Sequence, residues 1–213
     1  MCDLTYLAFD LAEKYRNPVY VLADGFIGQM VEPVEFPEPK LPQIDKTWCV
    51  DGTAETRHNL ITSIYLAPEE LEQHNLRLKE KYERIKREEV RYEAYKVDDA
   101  ELVLVGYGIV SRILKSVVDI MRGDGYKVGL LRPITLFPFP DEKIREIAKT
   151  AQVFLVVELS TGQMVDDVKL ALNGMREVKF YGRCGGMVPS AEEIIEQVKS
   201  IFEELEKEIE HQK

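Results

Sequence analysis

The sequence lacks several things that would assign it quickly. No apolar run approaches the roughly 20 residues of a membrane span. Its first residues carry no basic segment ahead of an apolar stretch, so export is not expected. Cysteine is scarce: Cys2, Cys49 and Cys184 are odd in number and widely scattered. They give neither a disulfide framework nor a zinc or iron–sulfur spacing, and a reducing cytoplasm fits them best. Basic charge is short, with 28 Lys and Arg against 38 Asp and Glu and a formal net charge of −10. That argues against nucleic acid or an anionic membrane as partner, and plain solubility accounts for it as well. Of the 3 histidines, His58 and His74 each lack a second ligand at metal spacing. No Ser-His-Asp elbow, P-loop or paired-carboxylate arrangement can be read from spacing.

What is present begins with residues 101–125. Leu102, Val103, Leu104 and Val105 form a continuous apolar run, which suits a strand buried on both faces. Gly106 and Gly108 permit a tight turn. Ile109, Val110, Ile113, Leu114, Val117, Val118 and Met121 then recur at helical spacing, with Ser111, Arg112, Lys115, Asp119 and Arg122 on the other face. The unit is strand, glycine turn, amphipathic helix.

The pattern repeats. Residues 126–131 read as a second strand, and residues 132–140 as a loop stiffened by three prolines. Asp141 is placed to cap a helix carrying Ile144, Ile147 and Ala148. Residues 153–157 read as a third strand ending at Glu158. Thr161 is placed to cap a helix that buries Met164, Val165, Val168, Ala171 and Leu172 and stops at Asn173-Gly174. Residues 178–181 read as a fourth strand, residues 182–189 as a glycine-rich loop, and Ser190-Ala-Glu-Glu193 as a capping box for the last helix. Four alternations with short connections imply an α/β fold: a three-layer, mainly parallel sheet covered by helices on both faces. Ligands in such sheets bind outside the carboxyl ends of the strands.

Ahead of this lie two other segments. Asp3 is placed to cap a helix to about Tyr15, ended by Asn17-Pro18. Residues 19–23 read as a short strand, turned by Asp24-Gly25. One helix and one strand cannot bury both their apolar faces alone. Pro33, Pro37, Pro39 and Pro42 then mark an extended linker. Residues 45–64 read as irregular, with a turn signal at Asp51-Gly52. Pro68 suits the first turn of a long charged helix running to about Glu93. That helix has a narrow stripe of Leu71, Leu78, Ile85 and Tyr92, with Tyr82 beside it. It is read as a solvated connector, or as a subunit contact through the stripe. The division is 1–30, a linker with the long helix over 31–96, and an α/β domain over 97–213.

Two groups invite chemistry. Gly106-Tyr-Gly-Ile-Val-Ser111 sits where a nucleotide fingerprint would, but Ser111 replaces the third glycine, and Arg132 stands where an acidic ribose ligand would be. A structural turn, a dinucleotide site and an anion at the helix N-terminus all remain open. Glu158-Leu-Ser-Thr-Gly-Gln163 reads either as a site rim or as a helix cap. Cys184, in Arg-Cys-Gly-Gly, has no His or Asp at a spacing that would make it a nucleophile.

Together these residues resemble a known family. Leu102-Val-Leu-Val-Gly-Tyr-Gly108, Gly125-Tyr-Lys-Val-Gly-Leu-Leu-Arg-Pro-Ile-Thr-Leu-Phe-Pro-Phe-Pro140 and Glu158-Leu-Ser-Thr-Gly-Gln163 resemble, in order and spacing, the alpha subunit of 2-oxoacid:ferredoxin oxidoreductases of the 2-oxoglutarate and 2-oxoisovalerate types. The start, Asp3 to Val19 and then Val21-Leu-Ala-Asp-Gly25, is similar to the end of that subunit's first domain. The resemblance implies a transketolase C-terminal-like domain from residue 97 and, over residues 1–30, a remnant of a pyrimidine-type thiamine diphosphate domain. It further implies a beta subunit carrying the diphosphate end of thiamine diphosphate, small ferredoxin-like subunits with iron–sulfur clusters, ferredoxin as electron acceptor, and an oligomer. The reaction it implies is oxidative decarboxylation of a 2-oxoacid to its acyl-coenzyme A. No catalytic residue carries over, because the stretch where the family's cofactor-activating glutamate would lie has no counterpart here, and no cofactor is assigned to this chain alone. Where the family usually has Glu-x-Asn-x-Gly-Gln, this chain has Ser160. The expected site-rim or subunit-contact residues are Tyr107, Arg132, Glu158, Thr161 and Gln163. Rival readings are a non-catalytic interaction module of the same fold and a small nucleotide-binding α/β protein built on residues 106–111.

Overall fold

A computed structural model describes residues 1–38 and 46–211. The chain divides into two compact units, Met1–Glu88 and Glu89–Lys213.

The second unit holds both apolar cores. Its elements are β1 (Tyr92–Tyr95), β2 (Leu102–Val105), α4 (Gly108–Gly123), β3 (Val128–Pro133), α5 (Asp141–Ile147), β4 (Val153–Glu158), α6 (Met164–Leu172), β5 (Glu177–Gly182) and α7 (Ala191–His211), following three helices of the first unit, described below. The sheet order is β1-β3-β2-β4-β5. β2, β3, β4 and β5 run parallel, and β1 pairs antiparallel with β3 at the edge.

The apolar run of β2 shows why both faces are covered. Leu102 and Leu104 join the core formed with α4 and α7, while Val103 and Val105 join the opposite core with α5 and α6. Successive strand side chains alternate between faces, so an unbroken apolar strand demands helices on each. β4 obeys the same rule, with Val153 and Leu155 on one side and Phe154 and Val156 on the other. Other readings also hold. Asn173 is left-handed at the end of α6. In the capping box, the Glu193 amide donates to Ser190 Oγ (3.2 Å) and the Ser190 amide donates to the Glu193 carboxylate (2.8 Å).

Several boundaries differ from the sequence reading. The charged helix α3 (Pro68–Glu88) stops short of Glu93, and Tyr92 begins β1 instead. The edge pairing fixes this: the Ile134 and Thr135 amides donate to the Arg91 carbonyl, and the Arg91 amide donates to Thr135 Oγ1 at 2.9 Å. A strand ladder overrides local helix preference here. The second strand runs over 128–133, so Arg132 and Pro133 belong to the sheet rather than to the loop. Asp141 is the first residue of α5, and Pro140 occupies its cap.

The first unit comprises α1 (Cys2–Tyr15), α2 (Gly25–Gln29) and α3. Asp3 does not cap α1, which starts two residues earlier than such a cap implies, with Met1 as cap. Asp3 lies in the first turn, where its charge still faces the positive helix end. Asp24 does more than turn the chain: its carboxylate accepts the Ile27 amide (2.8 Å) and caps α2. The strand expected over 19–23 joins no sheet; Tyr20 is 82% and Leu22 71% exposed. A strand needs a neighbour for its backbone groups, and none is present among the described residues of this unit. Pro39 and Pro42 lie outside the described residues. The unit is held mostly by polar contacts: Glu88 accepts from Lys14 Nζ (2.9 Å) and the Tyr15 hydroxyl (2.8 Å), and Lys81 Nζ donates to Asn17 Oδ1 (2.6 Å). Within the irregular segment, Asp51 Oδ1 accepts from Thr56 Oγ1 (2.6 Å), the Thr53 amide (2.9 Å) and Thr53 Oγ1 (2.8 Å).

Two outcomes follow. Phe154, fully buried between β4 and its covering helices, should cost about 3–5 kcal/mol on change to Ala, read as a lower urea midpoint with an unchanged slope. The Thr56 and Thr53 donors lower the Asp51 carboxyl to about 2 from an ordinary 3.8. A depressed carboxyl stabilises above its ordinary value and loses that contribution as pH falls toward the folded value. Amides of residues 51–56 should therefore exchange faster, relative to the intrinsic rate, as pH drops from about 4 to about 2; Asp51→Asn should abolish that dependence, and an unchanged profile would refute it.

Candidate functional site

Because β2, β3, β4 and β5 are parallel, the loops after them leave the same edge of the sheet. The chain runs from β2 to β3 on one side, then returns past β2 to β4 on the other. This reversal makes a switch point between the β2 and β4 ends, the place where α/β sheets ordinarily bind ligands. Tyr107 follows β2, and Glu158, Thr161 and Gln163 follow β4.

The turn after β2 is set by a close approach. A Cβ on Gly106 would lie 2.7 Å from Leu114 Cδ1 and 2.9 Å from Val110 Cγ1, so only glycine lets the first turns of α4 press onto the sheet. Tyr107 is the extended N-cap of α4 and is 39% exposed. Ser111, which replaces the fingerprint's third glycine, is buried, and its hydroxyl donates to the Gly108 carbonyl (2.8 Å). The turn is thus shaped by helix–sheet packing.

Arg132 is committed elsewhere. It faces Glu93 across the β1–β3 ladder and donates to its carboxylate (3.2 Å), which also accepts from Lys115 Nζ (2.9 Å). The Lys115 hydrogen bond, with Arg132 adding, holds the Glu93 carboxyl below its ordinary range. The loop after β3 exposes Leu136 and Phe137, the latter by 61%.

Glu158 is the centre of the β4 loop. It is 4% exposed. Its carboxylate accepts the Val165 amide (2.9 Å), the Met164 amide (3.1 Å), the Gln163 amide (3.2 Å) and the Ser160 hydroxyl (3.0 Å). Thr161, expected as the cap of α6, is exposed and does not serve; Gln163 holds the cap position without a side-chain bond, and the preceding strand's carboxylate does the capping. A carboxylate at a helix N-terminus satisfies free N–H groups and meets the positive end of the dipole. Ser160 Oγ in turn accepts the Gly162 amide (3.1 Å). Gly182 lets this loop lean on β5, since a Cβ there would collide with the Ser160 carbonyl. The positive end of α6 is therefore already filled. Nearby, burial raises the Asp167 carboxyl, with negative charge from Asp141, Asp166 and Glu158 adding to it.

Of the five expected residues, Tyr107, Thr161 and Gln163 are exposed in the turns after β2 and β4, Glu158 holds its loop from inside, and Arg132 is tied into the edge ladder. Sequence reading missed Glu93 and Thr135, whose roles exist only through strand pairing. It also missed Leu136, Phe137 and Met187, although exposed apolar residues between prolines and glycines are a visible signal. Among the described residues, no three His, Cys, Asp or Glu side chains gather as a metal site, and no helix is long and apolar enough to cross a membrane.

Comparison with known proteins matches two family models to this chain: "Pyruvate flavodoxin/ferredoxin oxidoreductase, thiamine diP-bdg" over residues 1–94 and "Pyruvate:ferredoxin oxidoreductase core domain II" over residues 100–194. Ketoisovalerate oxidoreductase subunit VorB of Methanothermobacter marburgensis is 54% identical over 94% of this chain and 57% of its own length. 2-Oxoglutarate synthase subunit KorA of Methanocaldococcus jannaschii is 31% identical over 91% of this chain and 59% of its own. Pyruvate synthase subunit PorA of Pyrococcus abyssi is 31% identical over 96% of this chain and 59% of its own. The chain thus spans less than two thirds of the relatives it matches. Among solved structures, 2-oxoglutarate:ferredoxin oxidoreductase from Magnetococcus marinus, with 2-oxoglutarate, coenzyme A and succinyl-CoA bound, superposes with a TM-score of 0.61 at 17% identity, over 73% of this chain and 29% of its own. That likeness is one of fold.

Changing Glu158 to Gln removes the charge and one acceptor, leaving buried amides of the α6 first turn short of a partner. The expected cost is about 1–3 kcal/mol by urea denaturation, with faster amide exchange confined to residues 160–165. Equal stability of the variant would show that the carboxylate is not what orders the loop.

Proposed function

Since the chain belongs to the alpha-type subunits of the 2-oxoacid:ferredoxin oxidoreductases, we propose that it is a component of such a complex, catalysing with its partners the oxidative decarboxylation of a 2-oxoacid to an acyl-coenzyme A while reducing ferredoxin. The observation that carries the reading is the succession of two family domains along one chain, a thiamine-diphosphate-binding type followed by core domain II. The identity is higher to ketoisovalerate subunits (54% and 51%) than to 2-oxoglutarate subunits (28% to 31%) or pyruvate subunits (31% and 35%). This supports a branched-chain 2-oxoacid as substrate.

The chain's own part is to scaffold and complete a site shared with a beta subunit. Residues 1–30 are the end of a pyrimidine-type domain, and residues 97–213 a transketolase C-terminal-like domain that presents its carboxyl edge to the partner. There Tyr107, Thr161 and Gln163 form the contact, Glu158 keeps the 159–163 loop rigid, and Arg132 braces the flank through Glu93. A diphosphate with its cation calls for clustered oxygen ligands and free N–H donors; in this unit Glu158 already takes the N–H groups of the α6 terminus. The cofactor and the iron–sulfur clusters are assigned to the assembly: a beta subunit, small ferredoxin-like subunits and ferredoxin as acceptor, in an oligomer. A cytoplasmic location agrees with the three free cysteines.

The chain alone should show no 2-oxoacid oxidation with ferredoxin or a viologen. Pulled from native extract, it should bring a beta subunit and thiamine diphosphate, and that assembly should turn over 2-oxoisovalerate with a higher kcat/KM than pyruvate or 2-oxoglutarate. Turnover by the purified chain, or a chain that emerges alone and cofactor-free, would overturn the reading.

A further inference from the structure

β1 is joined to the sheet differently from β2, β3 and β4. Those strands are almost wholly buried, whereas Tyr92 and Ala94 of β1 are exposed. The ladder of β1 is short, and Pro133, opposite Tyr92, brings no N–H to it. Tyr95 is half-buried against the core beside α4. Charge supplies much of the remaining attachment. Glu93 accepts from Lys115 Nζ of α4 (2.9 Å) and from Arg132 Nη1 of β3 (3.2 Å). Asp119 of α4 accepts from the Tyr95 hydroxyl (2.7 Å) and from Lys96 Nζ (2.6 Å). The Lys115 and Lys96 ammonium groups lie 4.8 and 5.0 Å from the centre of the Tyr95 ring, a favourable cation–π distance. Two carboxylates, three cations and one ring thus interlock across β1, α4 and β3.

The coupling is electrostatic and open to solvent. The hydrogen bond from Lys115 holds the Glu93 carboxyl below its ordinary range, and that from Lys96 does the same for Asp119. The five charged side chains keep exposures of 35% to 51%, so dissolved ions reach them. Exposed charges are screened as the Debye length falls from about 10 Å at 0.1 M salt to about 3 Å at 1 M. Arg91, just ahead of β1, also anchors the loop after β3. The Ile134 and Thr135 amides donate to its carbonyl, and its own amide donates to Thr135 Oγ1. Leu136 and Phe137 stand exposed immediately beyond. Letting go of β1 therefore frees the base of that loop, while Val97 and Ala100, buried in the core beside α5 and α6, bound the segment that is released.

We propose that residues 91–96 form an ionic-strength-sensitive strap: at low salt the Glu93–Lys115–Arg132 and Asp119–Lys96–Tyr95 contacts fasten β1 and the base of the 134–137 loop, and at high salt the strap opens while the parallel strands β2, β3, β4 and β5 stay paired. The strap operates whether or not the chain joins a larger complex, and it sets how firmly the apolar tip at Leu136 and Phe137 is held. Glu158 provides the contrast within the same sheet. Its carboxylate is 4% exposed and is satisfied by backbone amides, so screening has little there to act on.

The test is hydrogen exchange by mass spectrometry on the full chain at about 0.05 M and about 1 M NaCl, with each rate taken relative to the intrinsic rate at that salt. The expected result is exchange at least about fivefold faster at high salt in residues 91–96 and 134–135, with β2, β4 and residues 160–165 changed by less than about twofold. Glu93→Gln withdraws the charge that Lys115 and Arg132 share. It should show the fast exchange already at low salt and lose most of the salt response. Lys127→Gln, which breaks the separate exposed pair with Glu101 (2.9 Å), should keep the slow exchange at low salt and the full response. Exchange in residues 91–96 that ignores salt, an equal rise across the whole sheet, or a Glu93→Gln variant with the unaltered salt response would each overturn the proposal.

Discussion

A buried carboxylate that forms no ion pair among the described residues is the constraint on which the candidate site depends. Glu158 sits at 4% exposure, and its oxygens are matched by three backbone amides and a hydroxyl. Burying a charge is costly unless hydrogen bonds replace the lost water. Here the start of α6 supplies donors that would themselves be orphaned, so strand end and helix start solve each other's problem. The consequence is geometric. The loop between them is tied to that carboxylate through the Ser160 hydroxyl and the Gln163 amide. The same commitment removes Glu158 from the list of groups free for acid–base work.

The carboxyl edge is built by close approaches as much as by polar contacts. Gly106 lets α4 lie on the sheet, and Gly182 lets the Glu158 loop lie on β5. Both glycines bring backbone to within van der Waals limits of a neighbouring element, which makes the edge a surface with defined relief. What the edge offers is shape, an aromatic ring at Tyr107 and the apolar tip at Leu136 and Phe137.

Elements whose causes are local were legible. The four apolar residues of β2, the helical spacing of α4, the Ser190–Glu193 box and the Asn173-Gly174 stop each carry their signal within a few residues. β1 was hidden because four residues of alternating exposure in a charged stretch read equally well as the end of a helix; only the ladder to β3 and the Arg91–Thr135 bonds decide it. The α6 cap was hidden for a related reason. Capping rules look to the residue just ahead of the helix, and Thr161 satisfied them on paper. The true acceptor reaches back from Glu158, six and seven residues before the amides of Met164 and Val165 that it holds, across a turn whose path the sequence does not display.

The failed strand at residues 19–23 is of a different kind. Its composition is right and the structure leaves it single, so the sequence reading is in conflict with the chain's own contents and not with chemistry. Local preference and global fold ordinarily agree in a natural domain, and a lasting disagreement marks a place where something else participates. Among its described residues the first unit shows that disagreement along its length: strand-like residues without a ladder, eighteen exposed large apolar side chains, and cohesion from ion pairs such as Lys14–Glu88. Exposed pairs of that sort contribute on the order of 0–1 kcal/mol each, well below what burying even a few of the exposed side chains would supply. The second unit shows no such conflict, with both faces of its sheet covered.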